Sequence, residues 1–139
     1  MKASTMFGLL EMLSSQAIAL KLDGTYLVES RGTQLYLTAE SGQVSFAQDP
    51  QAWFFIESET DRYAIVNNDT NQYINCGLTW GALCRTSDVA QLFQIDNISD
   101  NVYTFLASGS EWLLHCTEDN KLDLRFTNDD DVKFALTQA

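Results

Sequence analysis

Three stretches of this 139-residue chain repeat one frame: an Asp, four residues, a Phe, one residue, then Ile or Leu. They are DPQAWFFI from Asp49, DVAQLFQI from Asp88 and DDDVKFAL from Asp129. The anchors Phe54, Phe93 and Phe134 lie 39 and 41 residues apart, so the chain carries an internal period. A unit of about 40 residues cannot bury its own apolar face, and its copies must therefore close around one shared core.

Each unit presents the same parts in the same order. A tyrosine-centred alternating strand comes first: Gly24-Thr25-Tyr26-Leu27-Val28, Arg62-Tyr63-Ala64-Ile65-Val66 and Val102-Tyr103-Thr104-Phe105-Leu106. An aromatic-aliphatic pair follows polar turn residues, as Tyr36-Leu37, Tyr73-Ile74 and Trp112-Leu113. A third strand follows a hairpin rich in Gly, Asn or Asp: Val44-Ser45-Phe46, Ala82-Leu83-Cys84 and Leu122-Asp123-Leu124. The repeated phrase supplies the fourth strand, with Phe93, Ile95 and their counterparts Phe54, Ile56, Phe134 and Leu136 expected in the core. Period-two alternation with evenly spaced turns indicates an all-β barrel or sandwich. A propeller of three blades falls below the usual minimum of four.

Three units of four strands resemble the β-trefoil superfamily, a six-stranded barrel capped by three hairpins. The resemblance covers roughly residues 22–137, with units at about 22–58, 59–98 and 99–137. Within the superfamily, Phe54-Phe55-Ile56-Glu57 and Phe93-Gln94-Ile95-Asp96 look most similar to the fascin and hisactophilin branch. Gln51-Ala52-Trp53 fits the Gln-x-Trp signature of ricin-B-type lectins and Gln91-Leu92-Phe93 approximates it. On the Phe54 alignment the two are out of register, and the third unit, with Asp131-Val132-Lys133, lacks the motif.

Residues 1–21 form a separate N-terminal segment. Met6, Leu9, Leu10, Leu13, Ala17 and Leu20 share one face at the helical period, which predicts a short helix docked on the body or on a second copy, a route to a homodimer. The alternative is a secretory leader, with Lys2, the run from Met6 to Leu10 and Ala17-Ile18-Ala19, although Glu11 interrupts its apolar centre. The interrupted run is too short to span a membrane. Cys76, Cys84 and Cys116 make an odd count without metal-ligand spacing. Free thiols in a reducing, cytoplasmic rather than secretory compartment are expected, a Cys76 to Cys84 bridge asking for restrictive geometry between opposed strands.

Eight Lys and Arg against 19 Asp and Glu give a formal net charge of -11. Nucleic-acid binding needs cations to displace phosphate counterions, so that class is excluded, and anionic membranes are disfavoured with it. Catalysis finds no set of groups: His115 and Cys116 are strand neighbours that point to opposite faces. No phosphate loop, cofactor motif or histidine pair for a metal occurs, and the run Asn128-Asp129-Asp130-Asp131 lacks the alternation and glycine of a calcium loop.

Binding features are better represented. Trp80 lies in the second unit's hairpin turn, where its indole either offers an exposed stacking platform or folds back as a lid on the barrel bottom. Asp49, Asp88 and Asp129 recur beside the anchors, either fixing the start of the fourth strand or serving one sugar site per unit, with Asn75, Gln91 and Asn120 nearby and Trp53 in the lectin-like signature. The expectation is a non-enzymatic binding module, a carbohydrate-binding lectin of β-trefoil type. A protein ligand is the alternative, through protease inhibition or through the actin binding that the fascin resemblance implies. Actin's surface is itself acidic, so charge opposes the last.

Overall fold

The computed structural model describes residues 22–139. The helix expected over residues 1–21, its leader-like alternative and the dimer contact drawn from it fall outside them. Twelve strands follow in order: β1 (Gly24–Ser30), β2 (Tyr36–Glu40), β3 (Gln43–Ala47), β4 (Ala52–Glu59), β5 (Arg62–Asn67), β6 (Tyr73–Asn75), β7 (Arg85–Ser87), β8 (Phe93–Ser99), β9 (Val102–Ala107), β10 (Leu113–Cys116), β11 (Leu122–Arg125) and β12 (Phe134–Gln138). Strands β1, β4, β5, β8, β9 and β12 pair in a closed antiparallel ring, which leaves no open edge. The others form the hairpins β2–β3, β6–β7 and β10–β11. These join one another at Gln43↔Arg85, Ser45↔Lys121 and Leu83↔Asp123. This is the β-trefoil arrangement that the repeat implies.

The pseudo-symmetry extends to single bonds. The first turn of each unit closes through the same backbone contact, Ser30 N to Leu35 O at 2.8 Å, Asn67 N to Gln72 O at 2.9 Å and Ala107 N to Trp112 O at 2.9 Å. Val28, Ile65 and Phe105 on the first strands and Leu37, Ile74 and Leu114 on the second are all buried. Ring contacts tie the first unit to the third, Phe55 to Phe105 and Phe46 to Phe134, both at 6.0 Å, and Phe105 meets Phe134 at 5.6 Å within the third. About 10 Å³ stays empty among Val28, Phe55, Ile65, Phe105 and Phe134, too little for any ligand, so recognition belongs to the surface.

The structure corrects the phase of two strands. In β4, Trp53 is fully buried while Phe54 and Ile56 are 39% and 49% exposed, so Trp53 and Phe55 face the core in place of the expected Phe54 and Ile56. The indole Nε1 donates to Leu37 O at 2.9 Å, which satisfies its one polar atom inside the core. The equivalent anchors are thus Trp53, Phe93 and Phe134, and Gln51 and Gln91 stand in register after all. In the third unit Leu113, paired with Leu106, takes the place of Tyr36 and Tyr73, paired with Glu29 and Val66. Trp112 packs partly buried from the preceding turn.

The second hairpin differs most from expectation. Its third strand begins at Arg85, three residues beyond the expected Ala82, so the turn runs from Gly77 to Leu83. Cys76 and Cys84 are joined at its base with Cα atoms 4.0 Å apart, contrary to the expectation of free thiols. They fill the place of the cross-strand pairs Ala39↔Val44 and Cys116↔Leu122. Their backbone N–H groups bond elsewhere, to Gln91 Oε1 and Leu122 O. They are therefore a non-hydrogen-bonded pair, the kind in which opposed side chains approach most closely.

Candidate functional site

Two of the expected ligand contacts, Gln91 and Trp53, prove to be parts of the scaffold, and so does Gln51 of the lectin-like signature. Gln51 Oε1 accepts from Ala39 N at 2.9 Å, and its Nε2 donates to Ala39 O at 3.3 Å. Gln91 makes the same clamp, accepting from Cys76 N and donating to Gly77 O, both at 2.6 Å. Each ties the start of a fourth strand to its own unit's hairpin, which gives the Gln-x-aromatic phrase a structural cause. Trp53, enclosed in the core, cannot meet a ligand.

The second unit does gather Asn75, Asp88 and Gln91 around its hairpin. Asn75 Nδ2 donates to Val89 O at 3.0 Å and its Oδ1 accepts from Gly77 N at 3.1 Å, while Asp88 Oδ1 accepts from Gln72 Nε2 at 3.2 Å. Asp49 sits exposed in the turn before β4. On the corrected phase it lies one place off Asp88 and Asp129, so the three carboxylates are not one per equivalent position. Asn120 has φ 60°, a left-handed value that asparagine tolerates. Its carbonyl accepts from Phe46 N at 2.8 Å and so ties the third hairpin to the first.

The third unit is built differently. Val132, 2% exposed, stands where the other units have Gln51 and Gln91. A one-turn 3-10 helix, Asp130–Val132, carries it inward, capped by Asp129, whose Oδ1 accepts from Asp131 N and from the Thr127 hydroxyl, both at 3.0 Å. Gly32 has no side chain, and a Cβ there would collide with the Asp131 carboxylate. An open cleft of about 450 Å³ lies between hairpin β10–β11 and this turn. His115, Thr117, Glu118, Asp119, Arg125, Thr127, Asp129 and Asp131 line it with Cys116.

A chain of hydrogen bonds stiffens one wall. His115 Nδ1 lies 2.7 Å from Asp123 Oδ1, and Asp123 Oδ2 accepts from Arg125 Nε at 3.0 Å. Asp123 is buried, and these two partners satisfy it as a charge-assisted network. Arg125 in turn stands over the Trp80 ring, 4.8 Å from its centroid, a cation–π contact that covers one indole face. Trp80 is still 54% exposed, so its remaining surface is open. Burial pushes the Cys116 thiol above its ordinary pKa, more than hydrogen bonds from Ser30 and Thr33 lower it. No group of three or more His, Cys, Asp or Glu among the described residues is placed to hold a metal ion.

Of the candidate ligand residues read from the sequence, only Asp129 lines this cleft. Thr117, Glu118, Asp119 and Thr127 sit in turn segments whose composition is ordinary for loops. The signal that could have found them is the place where the third copy departs from the other two, Val132 against two glutamines.

No known protein family matches the sequence, and no curated protein does. Solved structures do match in fold. A designed threefold-symmetric protein, ThreeFoil, aligns with a TM-score of 0.76 over 84% of this chain and 100% of its own, at 16% identity. A ricin B-like lectin from Macrolepiota procera, solved with lactose, aligns with a TM-score of 0.75 over 86% and 99%, at 11% identity. A proteinase inhibitor from Coprinopsis cinerea aligns with a TM-score of 0.70 over 86% and 99%, at 14% identity. These likenesses establish the β-trefoil fold.

Proposed function

We propose that this chain is a non-enzymatic binding module that recognises a neutral carbohydrate in the third-unit cleft. The observation that carries the proposal is the cleft's wall: four carboxylates, two threonine hydroxyls and one guanidinium converge on about 450 Å³ of open space. Carboxylate oxygens accept from hydroxyl donors and the guanidinium donates to hydroxyl and ring oxygens, so the lining suits a hydroxyl-rich ligand. The same carboxylates repel an anion. The volume falls in the range of small-molecule sites, and the bonded chain His115–Asp123–Arg125 holds one wall in place before any ligand arrives. The lactose complex of a protein with this fold adds support.

A glycan array followed by calorimetric titration of the sugars it selects tests the proposal. Asp119→Asn, at an exposed position of the wall, is expected to weaken binding at least about fivefold, since a hydrogen bond to a charged group contributes roughly 1.5–3 kcal/mol. Binding unaffected by this change, or no sugar bound by folded protein, rejects the assignment. A protein ligand is the second reading, favoured by the exposed Leu78, Trp80 and Leu83 on the second hairpin turn and by the inhibitor of similar fold. A protease panel separates the two.

A further inference from the structure

The charges of this protein are sorted by place. Of the six Lys and Arg among the described residues, four are held by carboxylates: Arg31 by Glu29 at 3.8 Å, Arg62 by Glu59 at 3.1 Å, Arg125 by Asp123 at 3.0 Å and Lys133 by Asp130 at 3.5 Å. Arg85 and Lys121 have no such partner among the described residues, and both come to the seam where the three hairpins meet. Gln43 of β3 pairs with Arg85, and Ser45, two residues along, bridges to Lys121, so one short strand brings both cations together. Lys121 Nζ reaches Gln43 Oε1 at 3.4 Å.

Two hollows share Leu83 and Arg85 there. One, about 230 Å³, is completed by Gln43 and Lys121, and the other, about 490 Å³, by Asn75 and Ala82. No Asp or Glu lines either, in a chain with 19 of them, and none of their lining residues belongs to the acid-walled cleft. Leu83 is 61% exposed and supplies an apolar surface between the cations and the amides of Gln43 and Asn75. The backbone that carries the two cations is pre-set: the Cys76–Cys84 bridge immediately precedes Arg85, and Lys121 N donates to Thr117 Oγ1 at 3.0 Å. Rigid placement lowers the ordering cost of binding.

We propose that this seam is a second recognition site, which takes a carboxylate or sulfate carried on a sugar. Arg85 meets the anion with its planar fork and Lys121 as a point charge. Leu83 and Ala82 pack on the sugar's apolar face, and the amides meet its hydroxyls. This rests on the chain being a carbohydrate binder and extends it to an acidic saccharide, which the carboxylates of the third-unit cleft would reject.

The test is a titration of ¹⁵N-labelled full chain, at fixed ionic strength, with glucuronate, a sulfated glucose, glucose and sodium sulfate. Amides of residues 82–85 and 121 report on the seam and those of 117–119 and 127–131 on the cleft. The two acidic sugars are expected to move the seam amides with a Kd about tenfold below that of glucose or of sulfate, the size of two partly exposed ion pairs. Arg85→Gln with Lys121→Gln should remove that preference while glucose still moves the cleft amides, which also verifies folding. Glucose binding in the cleft without an acid preference at the seam overturns this inference and leaves the cleft assignment standing. Silence of every amide toward every sugar overturns both. Sulfate binding as tightly as the acidic sugars, or an acidic peptide displacing them at lower concentration, overturns the sugar assignment of the seam.

Discussion

Replacing Cys76 and Cys84 by Ala and Val installs the pair found at the equivalent place in the first unit, Ala39 and Val44. The apolar contact is kept and the covalent tie is lost, so the change isolates the cross-link. With a sequence separation of 8 between the cysteines, the chain-entropy relation gives about 2.5 kcal/mol lost at 25 °C. Spread over a domain of this size, that corresponds to a fall of about 10 °C in Tm. Urea unfolding of oxidised wild type, reduced wild type and the Ala/Val variant measures it, with the last two expected to coincide. An Ala/Val variant within about 0.5 kcal/mol of oxidised wild type would show that the second hairpin is held by its backbone and the Gln91 clamp alone, and the reasoning about the bridge would be wrong.

The corrected phase of β4 is checked by two truncations: Trp53→Ala should cost about 3–5 kcal/mol and Phe54→Ala under about 1 kcal/mol, and equal losses would contradict the burial pattern. Burial raises the folded pKa of Cys116, so the fold favours its protonated thiol. That contribution is whole below the unfolded thiol value of about 8.5 and is lost as pH rises through the folded value. Burial likewise raises Tyr103. Stability measured from pH 8 upward should therefore decline, and a thiol reagent at pH 8 should label Cys116 only after denaturant is added. Prompt labelling of native protein would refute the enclosure of this thiol.

The fold was legible because the period is a property of the whole chain, and three copies of a tyrosine strand, a hairpin and a Phe-anchored strand leave few ways to share a core. Phase within a strand was less legible. Trp53-Phe54-Phe55-Ile56 offers an aromatic-x-apolar pattern in either alternation, and Trp112-Leu113-Leu114 offers two apolar starts for the strand that differ by one residue. Pairing decides: Trp53 lies opposite Tyr26 and Asn67 in a closed ring, and only that alternation lets its indole reach Leu37 O. The Gln51 and Gln91 clamps were visible as a motif, but Gln91 reads equally as a ligand contact, since a glutamine that grips backbone has the same spelling as one that grips sugar. The bridge was legible only as the less favoured alternative to free thiols, because it depends on which cross-strand pair lacks its own ladder bonds. The cleft was least legible, since its walls come from segments about ten residues apart brought together by the turn that Val132 anchors.

The central claim is that recognition of a neutral sugar rests where the third copy differs from the other two. Calorimetric titration of full chain with an array-selected neutral glycan tests it most directly. One site per chain, abolished or strongly weakened by Asp119→Asn, is the predicted result. Three equivalent sites per chain, or one site indifferent to Asp119, would contradict it.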